Sequence, residues 1–239
     1  MLKILTIIAL ALFPVISFAT ESTEVKCDSG NDCFDKSFYL MTQKNDVEKT
    51  LKYIKKGCDQ YNHGVCCLLS AMSAHKIKKQ EGRLSDREVQ ELYAKPAELG
   101  VPAAIFVVYT KSSPLFKDFA SHIKNESMEE FYHSSNAVDK LLELNKVFLK
   151  VCTIQSKLKE SSDKREQIYF ELSRGYIRDF LTKDLYLKWG KDKTKFLNAE
   201  GENMSVPLYY GFKGIHNGDC DGLKEGIKLL NEFKKYEDL

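Results

Sequence analysis

Proline and glycine are scarce, at 5 and 13 of 239 residues, and nowhere do they gather with serine into a linker. That excludes collagen-like and low-complexity chains and leaves no composition break at which to cut the protein into domains. Charge of one sign is missing too. Lys+Arg at 36 against Asp+Glu at 34 leaves +2, and no charge block points to nucleic acid or an anionic membrane. No Cys-x-x-Cys supplies a redox or zinc pair. His63, His75, His122, His133 and His216 form no two-His metal pair at helical spacing, and there is no Gly-x-Ser-x-Gly. No cofactor and no metal are expected.

What is present begins with an export signal. Lys3 precedes an apolar run from Ile4 through Phe18, and Ser17-Phe18-Ala19 stands before a polar Thr-Glu-Ser-Thr-Glu. Residues 1–19 are therefore read as a cleavable secretory signal, with an uncleaved anchor as the competing reading. No cysteine immediately follows the cleavage point, so a lipid anchor is not indicated. All seven cysteines lie beyond it, in a mature chain of about 220 residues, enough for one continuous core.

The segment Asn45–Ala74 reads as a capped helix, a short turn and a second helix. Asn45 with Glu48 is a capping-box variant, and Val47, Leu51 and Ile54 recur at the helical period. Cys58 leaves the first helix and Cys66 enters the second, facing each other across the turn at the separation a disulfide needs. Closing that ring restricts the unfolded chain by roughly 2.5 kcal/mol. Val65, Leu68, Leu69 and Met72 make the buried stripe of the second helix, and Lys76 to Arg83 a polar connection. Ser85 with Glu88 opens another helix, with Val89, Leu92, Tyr93 and Leu99 inside, ending at Gly100 before Pro102. Cys27 with Cys33 is a second local disulfide candidate. Cys152 and Cys220 pair only if a long helix and the last turn pack together. Cys67, about 100° round the helix from Cys66, is left over as a buried apolar side chain or a free thiol.

Laid over each other, the two helix pairs match with Cys58 on Ala97, Val65 on Ala104, Cys66 on Ile105 and Cys67 on Phe106, one constant offset throughout. A slightly shorter shift places Cys33 on Cys66 and Ser37 on Ser70. Periods of this size built of helix pairs mark an α-solenoid.

The motif Tyr53-Ile-Lys-Lys-Gly57-Cys58, followed by Gly64-Val65-Cys66, resembles the Sel1-like repeat proteins, in particular their cysteine-rich secreted bacterial members. Tyr93-Ala-Lys-Pro-Ala97, continuing to Ala103-Ala104, looks like the cysteine-free version. The resemblance is clearest over residues 32–110. Ser70 and Tyr109 depart from it, standing where the family usually has a small glycine, and Pro96 interrupts a helix interior. It implies an all-α, TPR-like α/α solenoid of antiparallel helix pairs over residues 20–239, less regular over 111–239.

Beyond Tyr109, Ser112–Ser121 reads as a loop or short helix. Asn136–Leu158 is a long helix with Val138, Leu141, Leu142, Leu144, Val147, Phe148, Val151 and Ile154 on its apolar positions. Asp163–Leu181 and Asp221–Tyr236 are further helices. Tyr61, Trp189, Tyr209 and Tyr210 are candidate partner-binding aromatics, against the plainer reading that each packs between helices.

Such a chain is expected to be a monomeric scaffold in the bacterial periplasm or outside the cell, binding a protein or peptide partner on its concave face. It has no membrane span once the signal is removed. An immunity or inhibitor protein that neutralises a toxin or cell-wall-acting effector is the alternative. The resemblance also brings in penicillin binding and β-lactamase activity, and Ser73-Ala-His-Lys76, Ser121-His-Ile-Lys124 and Ser161-Ser-Asp-Lys164 have the Ser-x-x-Lys form. Ser-Asp-Asn and Lys-Thr-Gly are missing, so no enzyme is expected and no catalytic residue is assigned.

Overall fold

The structure, a computed structural model, describes residues 25–82, 84–124, 130–131, 133–181, 214–215 and 218–237. Among them the regular elements are nine α-helices and one π-helical turn, with no strand. None of the described helices is long and apolar enough to cross a membrane. The chain divides into two compact units between Ala104 and Ile105. The segment read as an export signal, together with Trp189, Tyr209 and Tyr210, lies outside the described residues.

In the first unit a segment without regular secondary structure, Val25–Cys27, leads into α1 (Gly30–Tyr39). Ser29 caps α1 by accepting a hydrogen bond from the Asp32 amide, with Asp32 in the positively polarised first turn. The chain then widens into a π-helical turn, Leu40–Lys44. Asn45, the expected cap of the next helix, takes a left-handed conformation (φ 51°) that stops the π turn. The cap of α2 (Val47–Asp59) is Asp46, whose carboxylate accepts from the Lys49 amide. The buried face of α2 is Thr50, Tyr53, Ile54, Gly57 and Cys58, at i, i+3, i+4, i+7 and i+8. Val47 and Leu51 only flank it, so the apolar stripe is rotated from the one the sequence indicates.

His63 caps α3 (Gly64–Gln80) through its imidazole, which accepts from the Cys66 amide. This helix continues through residues read as a connection, reaching Gln80 with Lys78 and Lys79 in its last turn, where they favour the negative helix end. Ser85 and Glu88 form a complete capping box at the start of α4 (Asp86–Glu98). That helix closes with Gly100 at φ 80°, the Gly100 amide donating to Ala97 O and the Val101 amide to Pro96 O. Those two bonds make a Schellman stop, which places Leu99 on the exposed side rather than inside. Pro102, at the first position of α5 (Pro102–Ser112), needs no amide hydrogen there. The caps and bounds of α2 and α4 keep the offset that sets Cys58 on Ala97: Asp46 corresponds to Ser85, Val47 to Asp86 and Asp59 to Glu98.

The second unit takes up α5 beyond Ala104 and is built round one long helix. Ser113 alone separates α5 from α6 (Pro114–Lys124), its hydroxyl accepting from the Phe116 amide. The stretch 112–121 is thus helix from Pro114 on. α7 (Ala137–Glu160) is 24 residues long. At 1.5 Å per residue it spans about 36 Å. It packs against α6, α8 (Lys164–Leu181) and α9 (Asp221–Glu237). Leu141, Leu144, Phe148 and Val151 are completely buried along it. The rings of Phe106, Phe116, Phe119, Phe131 and Phe148 meet at centroid distances of 5.6 to 6.2 Å, three of the four contacts edge-to-face. Tyr109 joins this cluster edge-on against Phe116.

Candidate interaction surface

The cysteines fix the geometry of the first unit. Cys27 is bonded to Cys33, and in the second unit Cys152 to Cys220. The staple across the α2–α3 turn, however, joins Cys58 to Cys67, with Cα atoms 4.6 Å apart, and not to Cys66. The reason lies one residue back on each helix. A Cβ added at Gly57 would lie 2.6 Å from Cys66 Sγ, 3.0 Å from Cys66 Cβ and 3.1 Å from Cys33 Cβ. Cys66 therefore fills the hollow that the missing side chain of Gly57 leaves, and the helices approach along that contact. One residue on, each helix has turned about 100°, which brings Cys58 to Cys67. Cys66 remains a free thiol with no exposed surface, and burial pushes its pKa up to about 12. It is a packing group at ordinary pH, not a nucleophile.

His63 is locked into this arrangement. Its Nδ1 accepts from Cys66, so its Nε2 carries the proton and donates to Asn31 Oδ1 at 3.0 Å, while the ring stacks on Phe34. Gly30 lies under the same imidazole, where a Cβ would meet His63 Cβ at 2.6 Å. The contact recurs further along. A Cβ on Gly64 would meet Val101 Cγ2 at 2.9 Å, so the first residue of α1 packs under the residue before α3, and the first residue of α3 under the residue before α5. Lysines repeat the relation. Lys56 Nζ donates to Val25 O, and Lys95 Nζ, its counterpart in the second helix pair, donates to Cys58 O, at 2.9 Å in both cases.

The N-terminal segment is consequently bound as a strap. Three consecutive carbonyls accept from three side chains: Val25 O from Lys56 at 2.9 Å, Lys26 O from Lys36 at 3.0 Å, and Cys27 O from Tyr61 at 2.8 Å. The Val25 side chain is buried with Cys27, Cys33 and Tyr53, and Leu40 packs on the cluster. Lys36 also holds Asp32 at 2.8 Å. That hydrogen bond lowers the Asp32 carboxyl below its ordinary value, helped by the Asp28 amide, and raises the Lys36 ammonium above its own. Beside the strap, α1 and α2 enclose an open groove of about 370 Å³, lined by Asp35, Lys36, Tyr39, Leu40, Lys49 and Tyr53. Tyr39, at the edge of the π turn, is 53% exposed, the most exposed of the large hydrophobic residues described.

Of the aromatics singled out in the sequence, Tyr61 is half-exposed and uses its hydroxyl to hold the strap from within the chain. The sequence reading missed the groove. Its one sequence signal is Tyr39-Leu40, two adjacent apolar residues that an uninterrupted helix would point about 100° apart. Three of the six Ser-x-x-Lys positions have described local surroundings. Ser73 donates to Leu69 O within its own helix, Lys76 is shifted down by burial, and Ser161 accepts from the Asp163 amide. No group of three or more potential metal ligands is present among the described residues. Comparison with protein-family models, with curated proteins and with solved structures returned no match.

Proposed function

We propose that this chain is an exported helical-repeat scaffold whose function is to hold a protein partner. The observation that carries the reading is the recurrence of one packing scheme within the first unit: caps and bounds of α2 and α4 at one constant offset, the same Gly contact at Gly30 and Gly64, and the same lysine-to-carbonyl bond at Lys56 and Lys95. A unit repeated in this way supports stacking into a solenoid of Sel1-like type, an architecture whose product is surface. Three disulfides fit an oxidising compartment, the periplasm or the exterior.

The test is expression of the tagged full chain in an exporting bacterium, with mass spectrometry of its N-terminus and of proteins retained after cross-linking in the periplasm. The mature protein is expected to begin near Thr20 and to retain one partner in near-stoichiometric amount. A toxin or cell-wall hydrolase as that partner would make the chain an immunity protein. An intact Met1 on exported protein would overturn the export reading. No retained partner, together with turnover of a chromogenic β-lactam lost in Ser73→Ala, would overturn the scaffold.

A further inference from the structure

We propose that Cys66 is the alternative partner of Cys33, so that the bridge Cys27–Cys33, which fastens the N-terminal strap, can pass to Cys33–Cys66 and release the strap. Three cysteines and one bond then make a latch with two positions. All three are buried, and α1, which carries Cys33, packs against α3, which carries Cys66. Both stand in the first turn of their helices, with Gly57 as the floor between them. A Cβ at Gly57 would lie 3.0 Å from Cys66 Cβ and 3.1 Å from Cys33 Cβ, so the two β-carbons are no more than about 6 Å apart. A bridged pair needs roughly 3.5–4.5 Å. A side-chain rotation and a slight shift of α1 close the difference. Cys67 does not compete, because it lies about 100° from Cys66 round α3 and is held by Cys58.

The step balances without an outside oxidant or reductant. Cys66 gives up its proton to water and its thiolate attacks Cys33 Sγ. The Cys33–Cys66 bond forms as Cys27–Cys33 breaks, and the electron pair leaves on Cys27 Sγ, which takes a proton from solvent. One disulfide and one thiol stand on each side. At rest the latch is shut, because burial keeps the Cys66 thiol protonated, its pKa pushed up to about 12. Exchange waits until α1 lifts from α3 far enough for water to reach Cys66. Thereafter the strap is held only by the bonds from Lys56, Lys36 and Tyr61 to its carbonyls and by the burial of Val25. Its departure uncovers Tyr53 and Leu40, on which Val25 is packed.

Trypsin reads the exchange directly. Cys27–Lys36 and Gly57–Lys76 are separate tryptic peptides while Cys27 is bonded to Cys33, and become one cross-linked species once Cys33 is bonded to Cys66. Two samples of the full mature chain are alkylated and mapped without reduction. In Cys27→Ser, oxidised glutathione should join Cys33 to Cys66 and leave Cys58–Cys67 intact. In the parent, held at about pH 9 in urea below its unfolding midpoint with no thiol or oxidant added, the linked species should accumulate as the alkyl label moves from Cys66 to Cys27. Cys66→Ala treated alike should give no such link. Brief native trypsin should cut Cys27→Ser after Lys26 at least about tenfold faster than the parent, whose strap is latched. Folded Cys27→Ser that does not link Cys33 to Cys66, or a parent that keeps Cys27 bonded to Cys33 throughout, overturns the proposal, and the parent sample alone decides it if Cys27→Ser does not fold. The same link in Cys66→Ala, or equal cutting after Lys26, overturns it as well.

Discussion

The first unit is held in register by sulfur, glycine and lysine-to-carbonyl bonds, whereas the second is held by aromatic rings and one long helix. In the first, Gly57 seats Cys66, Cys58 is bonded to Cys67, and Lys56 and Lys95 each reach a backbone carbonyl in an earlier segment. In the second, Phe106, Phe116, Phe119, Phe131 and Phe148 are buried in mutual contact, and the single bridge Cys152–Cys220 pins the turn before α9 to α7. Small residues let helices approach closely at these contacts, where cross-links and hydrogen bonds set the register alongside the buried side chains of Phe34, Leu68 and Tyr93. Large rings supply the burial themselves and tolerate a wider helix spacing. Stability in the two units should accordingly respond to different insults.

The largest expected effect is in the aromatic unit. Phe148→Ala removes a fully buried ring that touches Phe106, and should cost about 3–5 kcal/mol in denaturant unfolding, whether or not a reductant is present. A loss under about 1 kcal/mol would mean that the ring cluster is not what holds the second unit.

Next comes the staple. Cys58→Ala opens a ring of nine residues' separation and should cost about 2–4 kcal/mol, while leaving two neighbouring thiols, Cys66 and Cys67, open to scrambling. Reductant should have little further effect on the α2–α3 turn of this variant. If Cys58→Ala melts like the parent, the first unit is held by packing, and the contrast between the units disappears.

Much of the architecture behind these expectations is legible in the sequence. The Ser85–Glu88 box, the stop at Gly100 and the span of α7 all follow from local rules about orphan amides and periodicity, and each stands within a residue or two of its sequence reading. Asn45 and Asp46 are both good caps, and the choice between them falls to a π turn that no sequence pattern announces. Cys66 and Cys67 illustrate the harder limit. The turn length brings both near Cys58, and what separates them is the hollow at Gly57, visible only once the two helices are placed together. The strap and the groove are less legible still, because a lysine that bonds a backbone carbonyl 31 residues away leaves no spacing signature.

Cys66→Ala should have a smaller effect, on the order of 1 kcal/mol, since a fully buried sulfur is lost while the Cys58–Cys67 bridge remains. In the parent protein, iodoacetamide should label Cys66 only in denaturant, as its thiol is protonated far above neutral pH. Rapid native labelling would contradict its burial.

The smallest effect is electrostatic. The Asp32 carboxyl is lowered from 3.8, so whatever it adds to the α1 end is present above that value and lost as pH falls through its depressed folded pKa. Lys36, raised from 10.5, contributes fully below that value and is lost as pH rises through its raised one. The Asp28 amide, which donates to Asp32, should therefore titrate in an NMR pH series with a midpoint below 3.8. A midpoint at or above 3.8 would show that the ion pair does not form.

The central claim is that the Gly57 hollow sets which of two adjacent cysteines closes the turn, and one measurement tests it directly. The protein is alkylated under denaturing, non-reducing conditions, cut before Asp59 to separate Cys58 from Cys66 and Cys67, and fragmented in the mass spectrometer. The expected result is a cross-link from Cys58 to Cys67 with the alkyl label on Cys66. A dominant cross-link from Cys58 to Cys66, with the label on Cys67, would place α3 about 100° from the register described and contradict the account.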